Sequence, residues 1–206
     1  MITPLILGAD GNMGRRYCAI MDFLGLPYYR EDKDGIRHAC PAHDKPFDGI
    51  VIATPTSLHV EHIRKYMPLG LPILCEKPIT KDLAALEALL DEADERGVSI
   101  AMVDQYREMV IGHGVEPTRY DYFKSGGDGI SWDTINIGAK ARGSFTVGNT
   151  SPFWRCTING ISLRNSDMDA AYVDMLKNWL AAPRHDGAYI WRAHELAAKR
   201  EASCTL

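Results

Sequence analysis

Short apolar runs and helically spaced apolar residues alternate along the first half of the chain. Residues 2–7 form an apolar run that stops at a glycine cluster, and residues 13–24 then carry apolar side chains at helical spacing: strand, glycine-rich turn, helix. Residues 26–29 predict a second short strand. The stretch that follows, REDKDGIRHACPAHDKP, is polar and broken by Gly and Pro, which argues against a full crossover helix there. The β-branched run 47–53 (FDGIVIA) predicts a strand ended by TPTS, and 58–66 a helix capped by Thr56 or Ser57. Residues 72–75 read as strand, 82–96 as an amphipathic helix with Thr80 as its cap and Gly97 as its stop, and 98–103 as strand again. Such alternation predicts an α/β fold, a parallel sheet with helices on both faces.

Past Gly112 the rhythm changes. HGVEPT reads as a linker, 120–123 as a short strand, SGGDG as a turn and 130–141 as a helix, before the strand-like SFTV and PFWRCTI. Asn159-Gly160, between PFWRCTI and ISL, is a two-residue hairpin signal. Residues 167–182 and 187–202 read as two Ala-rich amphipathic helices. The expected organisation is a first domain over 1–118 and a second, smaller α+β domain with an antiparallel sheet over 119–206.

Composition narrows the class. Apolar residues make up 46% and charged residues 24%, without a polar low-complexity tract, so the chain is expected to fold throughout. The net charge is −4 and the basic residues are scattered, which excludes the electrostatic footprint of a nucleic-acid binder. No run approaches the ~20 apolar residues of a membrane span. The start, MITPLILGADG, reads as a first strand rather than a signal peptide. Cys18, Cys40, Cys75, Cys156 and Cys204 form neither a CxxC pair nor a disulfide framework, which fits a reducing cytoplasm. Cys75, at the end of an apolar strand, reads as a small buried hydrophobe.

The glycine turn carries the first chemical signal. Gly8, Gly11 and Gly14 in GADGNMG lie between strand and helix, where small residues let backbone approach a pyrophosphate and the helix N-terminus supplies amides and positive potential. That order identifies a Rossmann-type, doubly wound domain for NAD or NADP, with residues from Gly8 through Asp10, Gly11, Asn12 and Met13 to Gly14 at the phosphates. The spacing is GxxGxxG, so Asp10 stands where a glycine is more usual, and its anion must turn away from the phosphates. About 20 residues further on, an acidic residue is expected at the ribose hydroxyls. Glu31 and Asp32 both qualify, while Arg30 suits a 2′-phosphate, so NAD and NADP stay open. His59 and His62, with Glu61 between them, raise a metal pair, but neither HExxH spacing nor a third ligand accompanies them, and no metal is expected.

Four passages together, GADGNMGRRY, IVIATPTSLHVEHI, ILCEKPIT and VDQYRE, resemble the glucose-fructose oxidoreductase, inositol dehydrogenase and MocA family, whose members join a Rossmann domain to an open antiparallel sheet domain. The resemblance implies that Ala53, Thr54, Pro55, Thr56 and His59 belong to the nicotinamide side of the cofactor site. It likewise places Glu76 and Lys77 at the cofactor, with Lys77 also reaching substrate as the leading catalytic residue. Pro78 follows in a turn where the family often has a cis bond. The expected reaction is hydride transfer between nicotinamide and a sugar, cyclitol or related polyol or carbonyl compound. A small-molecule substrate and self-association through the second domain are the partners implied.

In the second domain the resemblance thins. Aligning Gly129, Ser131 and Asp133 to the family's GxLxDxGxHxxD helix retains the Asp and puts Ile137 at the His. Asp133 is thus a second catalytic candidate, orienting Lys77 or binding a substrate hydroxyl. An isoleucine cannot relay a proton. A catalytically degenerate dinucleotide-binding sensor or scaffold is therefore the alternative reading. Trp132, Phe153 and Trp154 can stack on a sugar or simply pack. A dihydrodipicolinate reductase relationship, suggested by GADGNMGR, lacks that family's second-domain segments after Ile111.

Overall fold

The computed structural model describes residues 1–33, 35–38, 46–105, 124–125, 131–132, 145–150, 153–158, 161–162 and 165–203. Two units divide the chain, one of Met1–Val103 with Lys177–Ala188, the other of Asp104–Leu176 with Tyr189–Leu206.

The first unit is built on a six-stranded sheet. β1 (Pro4–Leu7), β2 (Tyr29–Asp32), β3 (Gly35–His38), β4 (Gly49–Ile52), β5 (Ile73–Cys75) and β6 (Ile100–Met102) lie in the order β3-β2-β1-β4-β5-β6. All neighbours are parallel except β2 and β3. The helices are α1 (Asn12–Leu24), α2 (His59–Tyr66) and α3 (Leu83–Arg96). Leu5, Ile6, Ile50, Val51, Ile52 and Ile73 are wholly buried, as continuous apolar strands must be when both sheet faces are covered. Tyr17 and Met21 of α1, Ile63 of α2 and Leu86, Leu89 and Ala93 of α3 complete this core. Each buried Leu, Ile, Val or Met among them contributes on the order of 1.5–3 kcal/mol by leaving water.

Several boundaries differ from the sequence expectation for physical reasons. The second strand is Tyr29–Asp32 rather than 26–29, because Gly25 closes α1 at φ 64° and Pro27 has no N–H for a ladder. Register then pairs Leu5 with Tyr29 and Leu7 with Glu31. After β2 the chain doubles back as antiparallel β3 instead of crossing over. Neither Thr56 nor Ser57 caps α2; a short 3-10 turn, Thr56–Leu58, leads into it without a side-chain cap. Asp82, not Thr80, caps α3, accepting from the amides of Ala84 and Ala85 at 2.9 and 3.1 Å. The Thr80 hydroxyl instead accepts from the Asp82 amide at 3.2 Å. Gly97 does stop α3, in the left-handed region.

The segment Lys177–Ala188 is held to this unit by backbone. The Ile2 amide donates to the Leu180 carbonyl and the Asp186 amide to the Ile100 carbonyl, both at 3.0 Å. His185 accepts from the Ile100 amide through Nδ1 and meets Asp94 at 3.1 Å through Nε2.

In the second unit, β9 (Phe145–Thr150), β10 (Phe153–Ile158) and β11 (Ile161–Ser162) form an antiparallel sheet in the order β11-β10-β9. Ile158 pairs with Ile161, the register a two-residue connection at Asn159-Gly160 gives. β7 (Lys124–Ser125) pairs with β8 (Ser131–Trp132), so residues 131–132 are strand and not the start of the helix expected at 130–141. The helices expected at 167–182 and 187–202 are α4 (Asn165–Ala181), whose last residues enter the first unit, and α5 (Gly187–Ser203). The boundary expected at 118, and Asp133, lie outside the described residues.

Candidate cofactor and catalytic site

A cleft of about 730 Å³ opens at the carboxyl ends of the parallel strands, where β1 is flanked by β2 on one side and β4 on the other. This is the switch point at which open α/β sheets take ligands. Leu7, Gly8, Asp10 and Gly11 line it from the first turn, Glu31, Asp32 and Lys33 from the end of β2, and Ala53, Thr54, Pro55, Leu58 and His62 from the β4 side.

The turn that forms the floor is fixed by backbone. The amides of Gly8 and Ala9 both donate to the Glu31 carbonyl, at 2.9 and 3.2 Å, and the Gly11 amide to the Gly8 carbonyl at 2.9 Å. Gly8 sits at φ 73°, and a Cβ there would come within 2.9 Å of the Ala53 carbonyl oxygen. A Cβ on Gly14 would overlap the Gly8 carbonyl, so glycine lets the first turn of α1 lie against the loop. α1 begins at Asn12 with no side-chain cap and no acidic residue in its first turn. The amides of Asn12, Met13 and Gly14 therefore keep the capacity of a helix N-terminus for an anion. A tight glycine cradle beside an uncapped helix start fits a pyrophosphate.

Charge is arranged around that cradle. The Asp32 carboxylate accepts from the amides of Asp10 (2.9 Å) and Lys33 (2.8 Å), and these two backbone donors hold its pKa below the usual carboxylate range. Arg30 forms an ion pair with Asp10, so the anion in the glycine turn is neutralised from β2. Glu31 accepts from the Tyr66 hydroxyl at 2.6 Å and from Lys65 at 3.3 Å. His62 faces the Thr54 hydroxyl at 3.0 Å, and burial lowers its pKa.

A second group of residues stands one strand further along. β5 runs into Glu76, Lys77 and a cis Lys77–Pro78 bond. Glu76 is buried; its Oε1 accepts from the Tyr17 hydroxyl at 2.5 Å and its Oε2 from the Lys77 amide at 3.1 Å. His59 is 1% exposed and its two ring nitrogens face the Pro78 carbonyl (2.8 Å) and the Thr54 carbonyl (2.7 Å). Either neutral tautomer satisfies one carbonyl and the imidazolium both. Cys75 is fully buried and burial pushes its thiol well up, in keeping with a hydrophobe's role.

The candidate residues thus sort by place. Gly8, Asp10, Gly11, Asp32, Ala53, Thr54 and Pro55 line the cleft; Asn12, Met13 and Gly14 form the helix start; Arg30 holds Asp10; Thr56 opens the 3-10 turn; His59 and Glu76 brace from behind; and half-buried Lys77 ends the β5 loop. Leu7, Lys33, Leu58 and His62 were not assigned to the cofactor from sequence, and Glu31 only as an alternative. His62 had a signal available, since it lies one helical turn beyond His59 at the start of the helix that follows the Thr54 loop.

Residues 16–105 match the model of a family described as an oxidoreductase family with an NAD-binding Rossmann fold. A D-xylose 1-dehydrogenase (NADP(+)) of Haloferax volcanii is 33% identical over 92 residues, 45% of this chain and 27% of that protein. The chain thus spans about a quarter of the length of that curated relative. The WlbA (WbpB) dehydrogenase from Thermus thermophilus, solved with NAD and UDP-GlcNAcA, shares the fold with a TM-score of 0.58 at 14% identity, over 96% of this chain and 94% of that one. An oxidoreductase from Agrobacterium radiobacter, solved with NAD+, L-tartaric acid and magnesium, has the same TM-score at 12% identity, over 98% and 96%.

Proposed function

Because residues 16–105 belong to the dinucleotide-binding half of the glucose-fructose oxidoreductase, inositol dehydrogenase and MocA family, we propose that this chain is an NAD(P)-dependent oxidoreductase acting on a sugar, cyclitol or related polyol or carbonyl compound. The observation that carries the reading is the His59 bridge. One buried ring lies between the Thr54 carbonyl, on the wall of the cleft, and the Pro78 carbonyl beside Lys77, with a ring nitrogen at hydrogen-bond distance from each. The loop that lines the cofactor cleft and the loop that bears the candidate catalytic amine are thereby one piece of structure.

The nicotinamide, when bound, supplies or takes up the hydride. The chain's own residues do the rest. Gly8, Gly11 and the amides opening α1 bind the pyrophosphate, and Asp32 the ribose. Thr54 and Pro55 orient the cofactor along the β4 side. Lys77 hydrogen-bonds the substrate oxygen and manages its proton as charge develops there, a task concentrated in the transition state. Glu76 fixes the backbone of Lys77 through its amide. Sugar and polyol substrates accord with the xylose dehydrogenase relative.

The test separates binding from chemistry. Lys77→Ala is expected to leave dinucleotide affinity within a few fold, since that affinity arises at the turn and ribose, while lowering turnover of the identified substrate by ~10²–10⁴-fold. A loss of less than about tenfold removes Lys77 from the chemistry. Ile137, standing where the family carries a His, favours one competing reading, a cofactor-binding sensor or scaffold. Dinucleotide binding without any change in nicotinamide absorbance, across sugars, cyclitols and their oxidised forms, would establish that reading.

A further inference from the structure

We propose that the cleft selects NAD over NADP, and that Asp10 enforces the choice by holding Arg30 away from a 2′-phosphate. The inference rests on the dinucleotide reading above and goes on to which dinucleotide is taken and why.

The end of β2 offers two carboxylates to the cleft. Glu31 is committed to the Tyr66 hydroxyl and Lys65. Asp32 is held in place by the amides of Asp10 and Lys33. Each carboxylate oxygen spends one lone pair on its amide and retains another. A fixed acceptor of this kind suits a ribose diol, whose hydroxyls donate. It opposes a phosphate monoester, which carries only acceptors and charge of the same sign.

A protein that takes the 2′-phosphate supplies a cation at this point, and Arg30, on β2 beside the glycine turn, carries a guanidinium. Its partner is Asp10. Asp10 occupies a position of the glycine turn at which a side chain is unusual, and it binds Asp32 through its amide and Arg30 through its carboxylate. One residue thus presents the acceptor for the diol and occupies the cation for the phosphate. Lys33 also lines the cleft, alongside Asp10, Glu31 and Asp32. Replacing Asp10 by glycine keeps the amide that positions Asp32 and removes only the carboxylate that holds Arg30.

Calorimetric titration of the full chain with NAD+ and with NADP+ tests this. The wild type should bind NAD+ about tenfold or more tightly than NADP+, the scale of one charge-assisted hydrogen bond gained or lost. Asp10→Gly should tighten NADP+ by about fivefold or more and leave NAD+ within about threefold. Adding Arg30→Ala should cancel the gain. Asp10→Asn, which keeps the side chain's volume, should move NADP+ in the same direction, and thermal melts of each variant establish that it is folded. Tighter binding of NADP+ by the wild type overturns the proposal, as does an NADP+ to NAD+ ratio that Asp10→Gly leaves unchanged, or a gain that survives Arg30→Ala. Binding of neither dinucleotide overturns the functional reading together with this one, whereas NAD+ binding with the wrong preference overturns this one alone.

Discussion

Replacing Tyr17 by phenylalanine isolates the link between the phosphate helix and the Lys77 loop. The Tyr17 ring is wholly buried on α1, and its hydroxyl donates to Oε1 of buried Glu76 at 2.5 Å. Phenylalanine keeps the ring, so the packing loss is small and the perturbation falls on the hydrogen bond. A bond to a charged group is worth ~1.5–3 kcal/mol, and little water can replace the donor at this depth. At roughly 2–4 °C per kcal/mol for a chain of this size, the melting temperature should fall by about 3–12 °C. Tyr28→Phe is the internal control. Its hydroxyl donates to Asp22 at 3.1 Å, and Asp22 is exposed, so water can take the donor's place at the carboxylate and the cost should stay below about 1 kcal/mol even though the Tyr28 ring is buried. Differential scanning calorimetry of both variants decides the matter. Equal shifts, or a Tyr17→Phe shift within about 1 °C, would refute the argument that the buried carboxylate depends on this donor.

Two further outcomes are expected. Gly14→Ala sets a Cβ against the Gly8 carbonyl and 2.7 Å from the Ala9 Cα, backbone against backbone, so α1 must move off the turn. A stability loss of ~1–3 kcal/mol in denaturant melts and a fall in dinucleotide affinity of more than about tenfold in calorimetry should accompany it; unchanged affinity would dissociate the turn from the cofactor. His194 is buried, and burial lowers its pKa from 6.5 to about 4, while Nδ1 lies 2.8 Å from the Ile190 carbonyl. The folded state therefore binds fewer protons than the unfolded chain between these values, so the stabilisation is complete above pH 6.5 and is lost as pH falls towards 4. The loss amounts to about 3 kcal/mol at most. His194→Gln should flatten that limb, and a variant whose stability falls in parallel with the wild type would exclude His194 as its source.

Much of the first unit is legible in the sequence because its signals are local. A glycine cluster between an apolar run and a helical spacing identifies β1, the turn and α1 without reference to anything distant, and Gly97 stops α3 through its own backbone freedom. Errors arise where two local signals compete. Thr80 and Asp82 both precede α3, and assigning Asp82 to the first helical position hides it as the cap, although aspartate is the stronger capping residue. The Asp34-Gly35 pair in a polar stretch is a local hairpin signal, and the chain returns there as antiparallel β3. The return of Lys177–Ala188 to the first unit rests on backbone bonds between Ile2 and Leu180 and between Ile100 and Asp186, groups that every residue carries. No side-chain pattern announces such a bond.

The candidate site shows the same division. Sequence resemblance supplies the membership of three passages, the glycine turn, ATPTSLH and EKP, but not the mechanics that unite them. Loops at the carboxyl ends of parallel strands are separate excursions of the chain, and neighbouring strands fix where each begins without fixing its tip. Two buried polar side chains provide the fixing here. Tyr17, from the helix behind the glycine turn, reaches Glu76 of EKP, and His59, from the helix behind ATPT, reaches both Thr54 and Pro78. Each cross-link joins groups far apart in sequence and removes the independent motion of two loops at once. A site that must hold a nicotinamide and a substrate oxygen in register tolerates little drift, since a displacement of ~1 Å can cost a hundredfold in rate. His59, with the Thr54 and Pro78 carbonyls at hydrogen-bond distance from its two ring nitrogens, also braces the two loops against each other. Its residue type is explained by the need for two opposed polar atoms on one rigid ring, a need that glutamine's flexible amide does not meet and leucine does not address.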